Sequence, residues 1–453
     1  MFKKVEIWIL YLVMLINVFF SISFGILVRQ ELVGRHKLGI VSETALFLAE
    51  IPKNLRKIIN SSPHLKKKDR FPDLDGFNGQ TNLNKSYLLL SRYDGDLREG
   101  IVELIDLTNF KTLHVWNPDI DEFNKSIKKI DEFKYLSRDD NNFRKLLVHP
   151  KLTKDGGLLF GWFSPLRKID ACSNLVFENA QDQFHHSIET DIEENIWVSA
   201  SLYPQELPKV QVGRKQLTQS GFRDDAIVKL SAEGRIIFKK SISEILNENG
   251  LGYLLFSSSS DTFEFDPIHL NDIQPLDFDS QYWKQGDLLL SLRNQSMILL
   301  YRPKTNKILW KGSGPFFSQH DVNVLNDNQI SIFNNNARYY INGFDVHGHN
   351  QIVIYDFKSD TYKTYLNKSL IKYDVRTVSQ GRGKILSNGD LFIEEHNSSR
   401  LLYFNKDGTL RWNFVNRANN GKLYSLGWSR ILTTDKDLEN VKNLLSAKAK
   451  CNV

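Results

Sequence analysis

The sequence predicts an all-β fold, a six-bladed β-propeller, preceded by an N-terminal transmembrane or signal-anchor helix. From residue 86 onward, short strands of alternating apolar and polar residues are separated by Asn, Asp and Gly turns. The same strand-turn-strand pattern recurs in six units, spaced by roughly 40 residues where no insertion intervenes, and this period with four strands per unit is typical of a propeller blade. A β-sandwich with additional strands is the alternative architecture.

The N-terminal segment is an uncharged apolar run over residues 7–28. Such a run is long enough to cross a bilayer as a helix. Basic residues flank it on both sides, so the positive-inside rule gives no clear orientation. Ser21 and Ser23 are compatible with a signal-peptidase site, which leaves a cleaved signal open. We favour an uncleaved anchor over residues 1–29, because the apolar run continues past both serines.

The rest of the chain divides into three predicted regions. Residues 30–80 are interpreted as a stalk or linker, in which 41–59 has helical apolar spacing that Pro52 interrupts. Residues 81–432 form the predicted catalytic propeller, and 433–453 form a C-terminal tail. Possible insertions at about 200–225, 240–265 and 337–350 interrupt the regular spacing of the units.

Composition narrows the function classes. The chain has 453 residues, of which 41% are hydrophobic and 12% aromatic, which is ample for a large core. The net charge of +6 is modest and no groove-reading module is visible, so no nucleic-acid partner is expected. The two cysteines, Cys172 and Cys451, lack metal-ligand spacing, which leaves one disulfide or two free thiols open. Pairing into a homodimer is also left open.

The predicted strand units define the blades. Their strands, unit by unit, are 87–92, 101–106 and 111–116; 146–149 and 158–162; 184–186, 196–198, 226–230 and 235–238; 266–269, 288–292, 298–301 and 308–310; 320–324, 330–333, 352–356 and 362–365; and 383–386, 391–393, 401–404 and 410–412.

Four histidines share one position in this repeat. His149, His186 and His320 each lie ten residues before an apolar residue of the following strand, and His269 takes the same place ahead of a longer turn. The first strand of each blade lines the central channel, so equivalent positions are expected to converge on the axis. Imidazoles in such a place suit an anionic group. A metal site is less favoured because few carboxylates occupy matching positions, and we predict neither a metal nor a cofactor.

Four short motifs carry a resemblance to a known family: Phe184-His-His186, Asp266-Pro-Ile-His-Leu-Asn271, Ser291-Leu-Arg-Asn-Gln295 and Ser318-Gln-His-Asp321, the last followed by Phe333-Asn-Asn335. The strand Lys307-Ile-Leu-Trp310 gives further support. Over roughly residues 85–430 the chain resembles the bacterial arylsulfate sulfotransferases. That resemblance implies a six-bladed propeller exported across the inner membrane, here anchored in that membrane with the propeller in the periplasm.

The resemblance also implies a reaction and its residues. A sulfuryl group moves from a phenolic sulfate ester to a phenol by a ping-pong mechanism, without the nucleotide donor PAPS. His320 matches the family's nucleophile, which becomes a transient sulfohistidine. His269, Asn271 and Arg293 match the residues that hold the sulfuryl oxygens, for which Arg offers a planar fork of donors. His186 matches the contact to the leaving oxygen.

Other histidines receive weaker assignments. His185 is a second candidate for substrate binding, because strand alternation alone decides which of the His185–His186 pair faces inward, and the ten-residue register favours His186. His149 matches no family role and is interpreted as structural. His347 and His349 are expected in a surface loop.

The rival function class is a non-catalytic, membrane-anchored propeller that binds a ligand or acts as a scaffold. The stretch 261–279 and the sequence around Gly343 differ from the family pattern, which favours keeping this alternative open. The complete set of His186, His269, Asn271, Arg293 and His320 favours the enzyme. A quinone-dependent dehydrogenase is disfavoured, because its eight-bladed Trp repeat and calcium ligands are not found.

Overall fold

The structure is a computed structural model that describes residues 6–32, 38–60, 64–66, 68–128, 130, 133–202, 223–256, 266–341 and 343–451. The chain forms two units, Met1–Ser62 with Val212–Phe222, and Pro63–Gln211 with Arg223–Val453. Most of the predicted insertion at 200–225, and residues 261–265 of the stretch 261–279, lie outside the described residues.

The described part of the first unit consists of two helices that contact each other, α1 (Ile7–Leu32) and α2 (Ile40–Asn60). Within the described residues, α1 is the one helix long and apolar enough to cross a membrane, over Ile7–Gln30, and it is a candidate transmembrane or signal anchor. α2 continues through Pro52, where the sequence predicted an interruption. The proline removes one backbone donor, but the helical turns on both sides are kept.

The second unit is built almost entirely from strands. In chain order they are β1 Gly76–Gly79, β2 Tyr87–Asp94, β3 Glu99–Asp106, β4 Lys111–Trp116, β5 Lys151–Leu152, β6 Leu158–Phe160, β7 Leu166–Ile169, β8 Leu175–Asn179, β9 Gln183–Thr190, β10 Ile196–Ser201, β11 Asp225–Leu230, β12 Ile236–Ser241, β13 Leu270–Pro275, β14 Leu288–Leu292, β15 Met297–Arg302, β16 Lys307–Ser313, β17 His320–Val324, β18 Gln329–Asn334, β19 Ala337–Tyr340, β20 Gly343–Val346, β21 Gln351–Asp356, β22 Thr361–Tyr365, β23 Arg382–Ile385, β24 Leu391–Glu395, β25 Arg400–Phe404, β26 Leu410–Val415 and β27 Arg430–Leu432.

Short helices join some of these strands. They are α3 Ile120–Phe123, α4 Leu136–Asp139, α5 Ile242–Glu248 and α6 Asn367–Lys372, and a longer helix, α7 Asp435–Lys448, follows the last strand.

The strands pair into six antiparallel blades, which confirms the predicted six-bladed β-propeller. Blades 2, 3 and 4 are β5–β8, β9–β12 and β13–β16; blade 5 is β17, β18, β21 and β22, with β19 and β20 as an inserted hairpin; blade 6 is β23–β26 with β1 as a fifth strand. Blade 1 is β27, β2, β3 and β4, so the C-terminal strand pairs with a strand 340 residues earlier, with Leu88 opposite Ile431. This pairing closes the ring, and the sequence analysis did not predict it.

The apolar core lies between neighbouring blades rather than on the axis. One cluster joins Leu88 of blade 1 to Phe392 and Trp412 of blade 6, and another joins Leu289 of blade 4 to Ile330 of blade 5. Since these faces take up the apolar side chains, the inner strands are left to carry polar groups toward the channel.

The C-terminal residues pack onto the propeller. Thr434 and Asp437 form a capping box at the start of α7, and Val441 and Leu444 are buried in the cluster between blades 1 and 2. A disulfide joins Cys172 of blade 2 to Cys451, which settles the alternative left open for the cysteines. The domain boundaries at 29, 80 and 432 stay a prediction.

Candidate active site

The inner strands begin with an unusual backbone conformation that recurs around the ring. A left-handed φ occurs at His149, His186, His269, Gln380 and Trp428, in blades 2, 3, 4, 6 and 1. In blade 5 Ser318 and Asp321, on either side of His320, have positive φ. Non-glycine residues seldom adopt this conformation, so its repetition marks a shared structural feature at one end of the inner strands.

The four histidines that share a repeat position lie together, as their spacing predicted. His186 Nε2 is 3.0 Å from His269 Nε2. The ring centre of His186 lies 6.4 Å from those of both His149 and His320. His149, His186 and His320 are all buried. A group of imidazoles from blades 2 to 5 therefore occupies the channel.

His320 is held in one orientation. Its Nδ1 lies 2.7 Å from Asn335 Oδ1 and 3.2 Å from the Ser318 carbonyl, so Nδ1 carries the hydrogen and donates it. The lone pair on Nε2 accepts the Gln380 backbone N–H at 3.2 Å. Burial first, and the positive charge of Arg293 second, lower the pKa of His320 to about 3. The ring is therefore neutral at physiological pH, with its lone pair on Nε2.

His186 and His269 share a proton. His269 Nδ1 lies 2.5 Å from Asp266 Oδ2, so the carboxylate fixes a hydrogen on that nitrogen. With both rings neutral, the hydrogen between the two Nε2 atoms belongs to His186, and His269 Nε2 accepts it. Burial, reinforced by the neighbouring histidines, lowers the pKa of His186 well below its usual value. The Asp266–His269–His186 series is thus arranged to hold or release one proton.

Arg293 lies in the single turn after β14 and is partly buried. Its guanidinium carbon is 5.4 Å from the centre of the Phe344 ring, and Nη1 donates to Asn294 Oδ1 at 2.7 Å. Phe344 belongs to the inserted hairpin of blade 5. Arg293 raises the local positive potential, which is what depresses the pKa of His320 beyond the effect of burial.

Asn271 and His185 face other partners. Asn271 is fully buried, and its Nδ2 donates to the Gln319 carbonyl at 2.7 Å, so it fixes the peptide that precedes His320. His185 lies 3.0 Å from Asp225 Oδ1, and the other oxygen of that carboxylate accepts the Leu270 N–H. Asp225 therefore joins blade 3 to blade 4 with His185 bound to it, whereas His186 is the member of the histidine pair that reaches the cluster.

Several residues around the cluster were not singled out from the sequence. Trp162 stacks on His186, with ring centres 5.3 Å apart, and Trp428 lies 3.8 Å from His149 and 6.3 Å from His320. Trp428 precedes the closing strand, which the sequence analysis had not placed. Gln380 contributes a backbone N–H, which no side-chain pattern reveals. Asp266 and Asn335, in contrast, lie within or beside the motifs that carried the resemblance.

A cavity of about 550 Å³ adjoins the cluster. Trp162 and Gln380, which contact His186 and His320, form part of its wall, together with Phe133, Tyr135 and Phe163. A pocket of this size with aromatic walls is suited to a flat aromatic ligand.

The remaining histidine prediction concerns the loop after the hairpin. His347 Nδ1 contacts the Tyr340 hydroxyl and His349 Nε2 contacts Asn367 Oδ1. Within the described ranges, no group of three or more His, Cys, Asp or Glu side chains is arranged to hold a metal ion.

The solved structures with a similar fold share little sequence identity with this chain. A protein of unknown function from Bacteroides caccae matches 77% of this chain and 99% of its own at 11% identity, with a TM-score of 0.47. The WD40 β-propeller domain of Doa1 matches 83% and 98% at 12% identity, with a TM-score of 0.39. The fold assignment rests on the six sheets and not on these matches. No curated protein matches the chain.

The family comparison is more specific. The model described as arylsulfotransferase (ASST) matches residues 149–417. This region holds all four clustered histidines, Arg293 and the strands of blades 2 to 6 except β1. Because the match spans more than half of the sequence, the chain belongs to the arylsulfotransferase (ASST) family.

Proposed function

We propose that this chain transfers a sulfuryl group from a phenolic sulfate ester to a phenol, with His320 as the nucleophile. The observation that carries the proposal is the state of that imidazole, which is buried, neutral and held through Nδ1 so that Nε2 keeps its lone pair. A neutral imidazole in a fixed tautomer is an effective nucleophile at physiological pH.

In the first half-reaction, His320 Nε2 attacks sulfur, and the bond from sulfur to the phenolic oxygen breaks. The ring gains positive charge as the N–S bond forms, and Nδ1 keeps its hydrogen and donates it to the Asn335 amide oxygen, which stabilises that charge. The hydrogen bond from the Gln380 backbone N–H to Nε2 breaks as the attack proceeds. In the second half-reaction, an acceptor phenol attacks sulfur and the N–S bond breaks, which restores His320.

The sulfuryl oxygens remain negatively charged throughout and need fixed donors. Arg293 and His269 supply them in our proposal, because Arg293 already places positive potential on His320 and His269 contacts the cluster. The resemblance also assigns substrate binding to Asn271, and strand alternation left His185 as a second candidate. Their contacts to Gln319 and Asp225 support a positioning role for both side chains.

Proton transfer accompanies each half-reaction. In our proposal the pair of His186 and His269 carries one proton more than two neutral rings, as an imidazolium beside the Asp266 carboxylate. The leaving phenolate takes up this proton, which leaves both rings neutral, and the incoming phenol returns one to the same pair. Asp266 keeps the hydrogen on His269 Nδ1, so the transferable proton stays on the side that faces the cluster. No nucleotide and no cofactor enter this scheme.

Two features support an exported enzyme. α1 is a candidate membrane anchor. The disulfide between Cys172 and Cys451 is of the kind that persists in oxidising compartments. We therefore propose an inner-membrane anchor with the propeller in the periplasm, where a small aryl sulfate donor and a phenolic acceptor reach the aromatic cavity.

The proposal is tested with the full chain in detergent, incubated with a chromogenic aryl sulfate with and without added phenols. Phenol release is expected from the parent, faster with an acceptor, and is expected to be abolished in His320→Ala. His114→Ala is the matched control, because His114 is also buried but lies on β4, an outer strand of blade 1.

Equal release by the parent and His320→Ala would show that His320 is not the nucleophile. No release from several aryl sulfates, together with measurable binding of the same esters, would instead establish the non-catalytic binding protein.

A further inference from the structure

A second polar layer lines the channel further along the same inner strands. It takes one residue from each blade: Lys151, Glu189, Gln274, Asn323, Lys384 and Arg430. All six line a cavity of about 210 Å³, which is separate from the aromatic cavity beside the histidines. Three of the six side chains are basic and one is acidic, so this ring carries an excess of positive charge.

Ion pairs account for part of that charge. Glu189 accepts Lys151 Nζ at 2.9 Å through one oxygen and Arg430 Nη1 at 2.6 Å through the other. Arg430 also donates to the carbonyls of Pro150 and Ile188. Glu189, Lys151 and Arg430 therefore form a closed local network within the ring.

Lys384 stands apart from this network. Among the residues that the structure describes, its ammonium group makes no hydrogen bond and no ion pair. Its neighbours around the ring are Asn323 of blade 5 and Arg430 of blade 1, and Arg430 is already paired with Glu189. Burial lowers the pKa of Lys384; the negative charge of Asp437 opposes this effect, and the positive charges of Arg382 and Lys151 add to it.

Among the described residues, the wider wall of the cavity gives Lys384 no hydrogen-bond or ion-pair partner. The lining contains five basic and three acidic side chains, and two of the basic ones pair with carboxylates outside it, Arg382 with Asp321 and Lys436 with Glu194. Asp437 accepts the backbone N–H groups of Thr433 and Thr434, and its charge acts on Lys384 without a direct contact.

An unpaired ammonium in a partly enclosed cavity is costly, and a bound anion offsets that cost. The ammonium offers three N–H donors, and the Asn323 amide adds further donors. The cavity has room for several water molecules at roughly 30 Å³ each, and so for a small oxyanion with part of its hydration shell.

We propose that the ring around Lys384 is a binding site for a small tetrahedral oxyanion, sulfate or phosphate. A layer of buried charges separates it from the histidine cluster. In that layer Arg382 Nη2 contacts Asp321 Oδ1 at 3.0 Å, and Asp272 accepts the Val322 N–H at 2.7 Å. The Lys384 site is thus distinct from the place where sulfuryl transfer is proposed, and it does not depend on that proposal.

The test is equilibrium dialysis of the full chain in detergent against radiolabelled sulfate and, in a separate arm, radiolabelled phosphate. Sodium chloride holds the ionic strength constant, so that general screening does not change. Arg293→Met weakens anion binding at the histidine cluster and isolates the Lys384 site. Lys384→Met removes the site, and Lys363→Met, on the exposed outer strand β22, is the matched control.

We expect Arg293→Met to retain one bound oxyanion, with or without Lys363→Met. In the same Arg293→Met background, Lys384→Met is expected to bind at least tenfold more weakly. The tighter of the two anions identifies the preferred ligand. Equal binding with and without Lys384, or no binding of either anion in Arg293→Met, would overturn the proposal.

Thermal melting shows whether the Lys384→Met variant is folded. Methionine removes an unpaired buried charge, so Lys384→Met is expected to melt no lower than the parent in the absence of anion. Added sulfate is expected to raise the melting temperature of Arg293→Met by about 1 to 3 °C and to leave that of the double variant unchanged. An equal rise in both proteins would place the anion elsewhere.

Discussion

Asn335→Asp tests the electrostatic account of His320, because it replaces an amide with a carboxylate of nearly the same size. In the native protein a neutral amide oxygen lies 2.7 Å from His320 Nδ1, and the pKa of His320 is about 3. The substitution places a carboxylate at the same position. A negative charge beside the ring favours the imidazolium form, so the pKa of His320 is expected to rise.

The magnitude follows from the separation of the charges. Two unit charges about 4 Å apart at an effective dielectric constant of roughly 20 interact by about 4 kcal/mol. At 1.36 kcal/mol per pKa unit, this corresponds to about 3 units. Desolvation of the new carboxylate opposes part of the shift, so we expect the pKa of His320 to reach roughly 5 to 6.

The assay is the rate of phenol release as a function of pH. Attack requires neutral His320, so activity is lost as the pH falls through the pKa of that residue. The parent is expected to show no His320-linked loss down to about pH 4, whereas Asn335→Asp is expected to lose activity below about pH 6 and to retain most of it at pH 8.

The control is Asn334→Asp, since Asn334 is equally buried and adjacent but contacts Phe317 and Asn336 rather than His320. Both variants are expected to lose some stability, because Asn335 also donates to the carbonyls of Thr377 and Gln380 and Asn334 has its own buried bonds. An unchanged acid limb in Asn335→Asp, or the same shift in both variants, would refute the assigned tautomer and environment of His320.

Three further predictions follow from other contacts. Asp266→Asn removes the carboxylate that fixes His269 and is expected to lower kcat/KM by about tenfold, roughly 1.4 kcal/mol. The loss is expected to be larger for poorer phenolic leaving groups. An effect that does not depend on the leaving group would contradict the role of the pair in proton transfer. Burial and the adjacent Asp321 raise the pKa of Asp272 to about 7, above the value of about 3.9 in an unfolded chain, so its contribution to stability falls as pH rises from about 4 to 7. The melting temperature of Asp272→Asn should therefore fall less than that of the parent between pH 5 and 8. Cys172→Ser is expected to lose about 2–5 kcal/mol of stability, measured by denaturant unfolding, without changing phenol release per folded molecule.

The repeat made much of this fold and site predictable. Short alternating strands at a regular spacing indicate blades, and a shared register brings His149, His186 and His320 to one channel because each blade repeats the same inner strand. The register also distinguished His186 from His185, although a β-bulge in β9 changes the pairing beside these residues.

The features that the sequence did not reveal depend on long-range contacts. β27 has three residues and acquires its place only by pairing with β2, so no local pattern identifies it or the adjacent Trp428. The Gln380 N–H near His320 depends on backbone geometry alone. Helix α7 belongs to the core through Val441 and Leu444, in a segment whose charged composition suggested only a tail.

The central claim is that His320 carries the sulfuryl group between two substrates, and intact mass tests it most directly. The full chain is mixed with excess aryl sulfate and no acceptor, and its mass is recorded at neutral or alkaline pH without an acid quench. The account predicts a gain of one sulfuryl group, located by peptide mapping on His320, absent in His320→Ala and removed when a phenol is added. Phenol release without any mass gain, or a gain of the same size in His320→Ala, would contradict it.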